Sequence, residues 1–233
     1  MRRATLLTDF GTRDGYVAAM KGVIATIAPS ALVDDASHDI PQGDIIAAAF
    51  ALRRYWRLYP AGTVHVVVVD PGVGSDRAAI AVEAGERYFV GPDNGVFTFI
   101  PHGRVVEVPT PPHASQTFHG RDVFAPAAAR LLAGAALTDL GKETYVRVAL
   151  EIPPEPHVVM IDRFGNLITN VSAAGDVEIA GRTIKARGSY ADVAEGEALT
   201  LVNSDGLLEI AVRNGSAAET LGISRGARLR VIS

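Results

Sequence analysis

Three strand-like runs in this chain end in an acid or a histidine. In the first, Val66-Val67-Val68-Val69 stops at Asp70-Pro71-Gly72-Val73-Gly74, with Arg77 seven residues beyond the acid. The β-branched run predicts a buried strand, and the Pro and two Gly predict a tight loop that presents the carboxylate. Open α/β sheets bind ligands in the crevice beyond the carboxyl ends of their strands, so Asp70 stands where such folds keep their chemistry, and Arg77 can return to the same crevice. In the second, Ala4 to Thr8 runs into Asp9-Phe10-Gly11. The third is Val33 to Asp39, ending in Ser37-His38-Asp39. Carboxylates, an imidazole and a guanidinium along one such edge can move protons, bind hydroxyls or hold an anion.

Other segments carry polar groups in loop contexts. These are Asp14-Gly15-Tyr16, Gly91-Pro92-Asp93-Asn94-Gly95, Phe118-His119-Gly120-Arg121-Asp122, Asp162-Arg163-Phe164-Gly165-Asn166 and Asn203-Ser204-Asp205-Gly206. Taken singly, each has a plain structural reading. Asp9 caps the following helix, His38-Asp39 lie on the surface before Pro41, and Asn94-Gly95 is a hairpin turn. Asp122 complements the start of a helix, and the last two segments are hairpin loops. Pro71-Gly72-Val73-Gly74 lacks the spacing of a dinucleotide fingerprint and the Gly-Lys-Ser/Thr ending of a nucleotide triphosphatase loop, so it is not a phosphate cradle. Asp9, His38, Asp39 and Asp70 offer metal-ligand chemistry, but no tight His-x-x-x-His or Asp-x-Asp spacing supports a metal site.

The elements that must position these residues alternate through the first 150 residues. Apolar spacing predicts helices over Gly15–Ile27, Asp44–Leu58 and Arg121–Leu132, and strands over Ala4–Thr8, Val33–Asp39, Thr63–Val69, Ala78–Val82 and Arg87–Val90. The expected fold is a layered α/β domain, residues 1–150, with helices covering a mainly parallel sheet. Glu151-Ile152-Pro153-Pro154-Glu155-Pro156 breaks this rhythm, because prolines favour extended backbone and cannot continue a helix. Beyond it, residues 157–233 form short apolar runs at His157–Ile161, Leu167–Val171, Val177–Ala180, Ala198–Val202, Leu207–Val212 and Ala227–Ile232. These predict a smaller antiparallel β-barrel domain.

Composition narrows the function classes. The 233 residues carry a formal net charge of −4, which provides no electrostatic reason to bind nucleic acid. There is no cysteine, so thiolate nucleophiles, disulfides and Cys-based metal sites are excluded. No apolar run of about 18 residues predicts a membrane span, and Asp9 interrupts the N-terminus too early for a secretory signal, so the expected location is the cytoplasm.

Taken together and in this order, the segments at Asp9, Asp14, Met20-Lys21-Gly22, His38, Asp70, Gly91–Gly95, Phe118–Pro126, Asp162–Asn170 and Asn203–Gly206 resemble the S-adenosyl-L-methionine hydroxide adenosyltransferases. These are relatives of the fluorinating and chlorinating enzymes that act at the same carbon. The resemblance implies a homotrimer with sites at subunit interfaces, each between one subunit's N-terminal domain and its neighbour's C-terminal domain. It implies catalytic roles for Asp70, Arg77 and His119. It places Asp9 on the ribose hydroxyls, Asp162 and Ser204 on the methionine group, Asn166 on the adenine edge, and Tyr190 against the adenine, with Asp14 also among the substrate-binding residues. S-adenosyl-L-methionine is then the substrate, adenosine and L-methionine are the products, and neither a cofactor nor a metal is implied.

The resemblance is not uniform. The stretch between Gly95 and Phe118 is short beside typical members, and Asp205 stands where the fluorinating enzymes carry Arg for the substrate carboxylate. Halogenating relatives carry Tyr where this chain has Asp70, and the fluorinating branch has Ser where it has Gly120; both differences favour water over halide as nucleophile. Displacement at the ribose C5′ of a sulfonium expels neutral methionine and needs no general acid. Forming free hydroxide beforehand through a carboxylate would cost roughly 16 kcal/mol. Two routes therefore stand open: Asp70 takes the proton as the C–O bond forms, or Arg77 and a protonated His119 hold a hydroxide. A halide-using adenosyltransferase and a non-catalytic sensor of S-adenosylmethionine or adenosine are the alternative functions.

Overall fold

A computed structural model describes residues 2–101 and 103–232, which form two compact units divided between Leu150 and Glu151. The first unit contains, in order, β1 (Arg3–Thr8), α1 (Tyr16–Ile27), β2 (Leu32–Ser37), α2 (Ile45–Tyr55), β3 (Val64–Val68), β4 (Ala79–Ala84), β5 (Arg87–Pro92), β6 (Val105–Glu107), α3 (Ala125–Ala133) and β7 (Lys142–Thr144). Its seven-stranded sheet has the order β2-β1-β3-β5-β4-β6-β7. Strands β2, β1, β3 and β5 pair in parallel, while β4, β6 and β7 continue the sheet by antiparallel pairing. Because β6 is antiparallel to β4, it runs with the first four strands, so five of the seven point the same way.

The central strands are buried on both faces, whereas the edge strands β2 and β7 are partly exposed, and the central strands alternate side chains between two cores. Leu6, Val66 and Val68 face one core with Met20 and Ile24 of α1 and Leu131 of α3, while Leu7, Val67 and Val69 face the other with Leu52 of α2 and Trp56. Local chemistry sets the helix ends. The Asp44 carboxylate accepts the Ala47 N–H at 3.0 Å to cap α2, and Gly134 ends α3 in the left-handed region. The expected Arg121–Leu132 helix instead opens as a π-helical turn, Gly120–Phe124, that leads into α3.

His65 of β3 is fully buried, with Nδ1 2.9 Å from Thr5 Oγ1 and its ring stacked on Phe89. Burial first, and then the Arg87 charge, push its pKa down to about 3. The unfolded chain takes up a proton near pH 6.5 that the folded chain refuses until about pH 3, so stability contributed by neutral His65 is complete above pH 6.5 and is lost as pH falls through that window. Between pH 6.5 and 5 the protein should lose about 2 kcal/mol more stability than His65→Phe, read from urea unfolding at each pH. Equal pH slopes for the two proteins would contradict this.

The second unit contains β8 (Val158–Ile161), β9 (Leu167–Thr169), β10 (Asp176–Ile179), β11 (Arg182–Ile184), β12 (Ala198–Val202), β13 (Leu208–Val212), α4 (Ala217–Leu221) and β14 (Leu229–Ile232). The expected barrel is not a closed ladder among the described residues. The strands form two antiparallel sheets, β11-β10-β14 and β12-β13-β9-β8, joined by the isolated bridges His157–Arg228 and Ala186–Thr200. Each seam is one bridge wide. Pro156 has no N–H with which to extend the first on its side, and at the second the Thr200 N–H donates to the Lys185 carbonyl at 2.9 Å and the Arg187 N–H to the Thr200 carbonyl at 2.8 Å, while the Ala186 N–H turns to the Asp176 carboxylate of β10 at 2.8 Å. The core of this unit is Val158, Leu167, Val177, Leu208 and Ile210 with their neighbours.

Candidate active site

Asp9, His38 and Asp70 each follow the carboxyl end of one of three adjacent parallel strands, β1, β2 and β3. A cavity of about 490 Å³ opens at this edge, and Asp9, Phe10, Tyr16, Asp70, Phe118 and His119 are among its lining residues. Asp9 does not cap α1, which starts seven residues later; its Oδ2 accepts the Gly43 N–H at 2.8 Å. Asp14 is exposed and outside the lining.

The loop after β3 folds back as the sequence suggests. Arg77 Nε lies 2.9 Å from both Asp70 oxygens, and Nη2 contacts Oδ2 as well. The same Nη2 reaches His119 Nδ1 at 2.9 Å. A guanidinium only donates, so His119 Nδ1 is the acceptor and its proton sits on Nε2. Burial first, then the Arg77 charge, hold the His119 pKa below its ordinary value despite the pull of Asp70 and Asp122. The imidazole is therefore neutral near pH 7. Its Nε2 is buried with no hydrogen-bond partner among the described residues, as is Arg77 Nη1. Buried donors without acceptors are uncommon, and one on a cavity-lining residue is a ready partner for a ligand oxygen.

Two glycines allow this assembly. Gly74 has φ +78°, and a Cβ there would stand 2.5 Å from the Gln116 carbonyl oxygen, so only Gly lets the Asp70 loop close on the segment leading to His119. At Gly120 a Cβ would lie 3.1 Å from Met20 Sδ and 3.2 Å from the Phe118 ring.

One supporting residue escaped the sequence reading. Asn94 Nδ2 donates to the Val69 carbonyl at 2.9 Å, bracing the peptide that precedes Asp70, while buried Asp93 accepts the Arg147 and Val148 N–H groups. The segment is thus no hairpin turn. The β4–β5 hairpin turns instead at Gly85-Glu86, both with positive φ. Asn94→Ala should lower kcat, by up to roughly 10²-fold if Asp70 shifts by an ångström, with little change in KM. A variant with wild-type kcat would remove Asn94 from the site's support.

Within the second unit, Asp162 and Asn166 are brought together. The Asp162 carboxylate accepts the N–H groups of Phe164 and Asn166, both at 2.9 Å, and the Asn166 side-chain amide at 3.1 Å. Tyr190 is 45% exposed, and its hydroxyl donates to Glu209 at 2.6 Å. Glu209, buried near the start of β13, also accepts from Asn203 at 3.3 Å, beside exposed Ser204. Glu209 was the other omission, although a lone acid within Leu207-Leu208-Glu209-Ile210 is a visible signal.

Among the described residues no group of three or more His, Cys, Asp or Glu could hold a metal ion, and no helix is long and apolar enough to cross a membrane. His38 is turned to other work, with Nδ1 on Thr8 and Nε2 on Asp35.

Family models for the N-terminal and C-terminal domains of SAM hydroxide adenosyltransferases match residues 4–141 and 156–230. The chain belongs to the SAM hydroxide adenosyltransferase family. Among family proteins, the (R)-S-adenosyl-L-methionine hydrolase of Thermus thermophilus is 42% identical across the whole of both chains, and that of Salinispora tropica is 40% identical over 96% of this chain and 95% of its own. A fluorinase from an Actinoplanes species stands further off, at 27% identity over 75% of this chain and 73% of its own. A conserved hypothetical protein from Thermus thermophilus superposes with a TM-score of 0.88 at 41% identity, covering both chains fully.

Proposed function

We propose that this enzyme hydrolyses S-adenosyl-L-methionine to adenosine and L-methionine, acting on the (R) sulfonium epimer for which its relatives are named. The observation that carries the reading is the cavity-lining Asp70 tied through Arg77 to a neutral His119 whose Nε2–H lacks a partner, in a chain that the family models span.

In this mechanism His119 Nε2–H donates to a water oxygen, and that water donates to the Asp70 carboxylate. As the oxygen attacks C5′, its proton passes to Asp70 and the C5′–S bond breaks. The bonding pair stays on sulfur, so methionine leaves as a neutral thioether, and each turnover releases one proton to solvent. Arg77 holds Asp70 and His119 in register. A neutral His119 favours proton transfer during attack over a hydroxide held by an imidazolium, because an Nδ1–H would face the Arg77 donor.

Asp9 is proposed to accept the ribose hydroxyls, with Asp14 on the same side of the substrate. Asp162 and Ser204 are proposed to hold the methionine group, Asn166 the adenine edge, and Tyr190 the adenine face. Because these candidates are divided between the two units, we further propose a homotrimer in which each site draws on neighbouring subunits. Halide use is disfavoured by Gly120, where a side chain bearing a hydroxyl would crowd Met20 and Phe118. Chromatography after incubation with each sulfonium epimer tests the function. Adenosine and methionine in equal amounts support hydrolysis. Intact substrate in every incubation would leave a binding protein, and a halogenated nucleoside in the presence of chloride or fluoride would leave a halogenase.

A further inference from the structure

His38 takes no part in the chemistry above, yet it is only 5% exposed and both ring nitrogens are engaged. Asp35 Oδ1 lies 2.9 Å from Nε2, and Thr8 Oγ1 lies 2.9 Å from Nδ1. A carboxylate accepts and cannot donate, so Nε2 carries a proton, and in the neutral ring Nδ1 accepts the Thr8 hydroxyl. With its O–H committed, the Thr8 oxygen accepts the Phe10 N–H at 3.3 Å. The main-chain oxygen of His38 accepts the Gly11 N–H at 2.8 Å. One residue thus holds the loop on both sides of Asp9. The outer end of the chain of bonds is tied to α1, where Lys21 Nζ meets Asp35 Oδ2 at 2.7 Å. Burial raises the Asp35 pKa, but the bonds from Lys21 and His38 outweigh it and keep the carboxyl below its usual range.

A hydrocarbon side chain could fill the space of the buried ring, but it could not orient a hydroxyl. Thr8, Asp9, Phe10 and Gly11 run from the end of β1 into the cavity wall, and the residue whose placement matters most for a bound nucleoside is the Asp9 carboxylate. We propose that His38 is a positioning residue for nucleoside recognition, setting Asp9 and Phe10 through the Thr8 hydroxyl. The inference rests on the reading of Asp9 as a ribose contact.

Half-replacements of the imidazole separate the Thr8 contact from the Asp35 contact. His38→Asn places an acceptor near the Nδ1 position and gives up Asp35, whereas His38→Gln reaches towards Asp35 and gives up Thr8. Thr8→Val removes the hydroxyl at nearly constant volume. Calorimetric titration of the full-length proteins with adenosine should give an affinity within twofold of wild type for His38→Asn. His38→Gln and Thr8→Val should each bind about 2- to 12-fold more weakly, the worth of one neutral hydrogen bond, and their combination should be no weaker than either alone. If wild type binds adenosine and the folded Gln and Val variants bind it equally well, the positioning role is overturned while the reading of Asp9 stands. A His38→Asn variant as weak as His38→Gln also overturns it, because the Thr8 contact is then not what counts. Wild-type protein that fails to bind adenosine overturns both readings.

Discussion

Asp70→Asn should bind S-adenosyl-L-methionine about as tightly as the wild-type enzyme and turn it over roughly 10²- to 10⁴-fold more slowly, the usual worth of a positioned general base. The amide keeps the shape of the carboxylate but cannot accept a proton at neutral pH. If the proton moves only as the C–O bond forms, the loss falls on kcat and KM changes little, because the interaction is made in the transition state and not in the bound substrate. The substitution also leaves the Arg77 guanidinium, 10% exposed, without its anionic partner, and breaking a buried pair costs about 3–5 kcal/mol of stability. Thermal melting therefore accompanies the kinetics, so that low activity is read only on folded protein. Substitution of Arg77 or His119 should also lower kcat, with effects that do not add to that of Asp70→Asn, since in the proposed mechanism all three act on one water. Wild-type turnover in Asp70→Asn would contradict the assignment.

Asp9→Ala should weaken adenosine binding about 10- to 150-fold, which corresponds to the 1.5–3 kcal/mol of a charge-assisted hydrogen bond. A carboxylate at the end of β1 can accept from two vicinal hydroxyls at once, and one of its oxygens is already oriented by the Gly43 N–H. Substrate and product share the ribose, so both affinities should fall together. Calorimetry with adenosine measures this directly. Unchanged affinity in a folded variant would take Asp9 out of the site, and 2′-deoxyadenosine should lose its disadvantage in Asp9→Ala if the contact is to the ribose hydroxyls.

Much of this arrangement is written in local residue patterns. The run Val66 to Val69 reads as a buried strand; β3 ends at Val68 with Val69 still buried beyond it, and Pro71 with Gly72 and Gly74 turns the chain beside an acid. Arg77 and His119 come from loops whose convergence depends on tertiary closure, and the Gly74–Gln116 approach that permits it leaves no mark in spacing. Strands β6, β7 and β11 lie outside the expected runs, because three residues are too few to display a period of two, whereas the equally short β9 falls within the longer apolar run Leu167–Val171. Asn94-Gly95 carries a hairpin signature, yet the Asn94 amide is drawn to the Val69 carbonyl, while the hairpin forms at Gly85-Glu86. His38-Asp39 reads as a surface pair or as ligands, because nothing local reveals that Thr8 and Asp35 take both ring nitrogens. The barrel expected of residues 157–233 is two sheets joined by single bridges; Pro156, which lacks an N–H, stops one seam on its side, and alternation alone does not encode how far each seam extends.

The central claim is that solvent water is the nucleophile at C5′ of the sulfonium substrate. Incubation in ¹⁸O-labelled water, followed by mass spectrometry of the nucleoside and its fragments, tests it most directly. The account predicts one labelled oxygen per adenosine, located on the 5′-hydroxyl, with methionine unlabelled. Adenosine that forms without solvent oxygen at the 5′ position would contradict it.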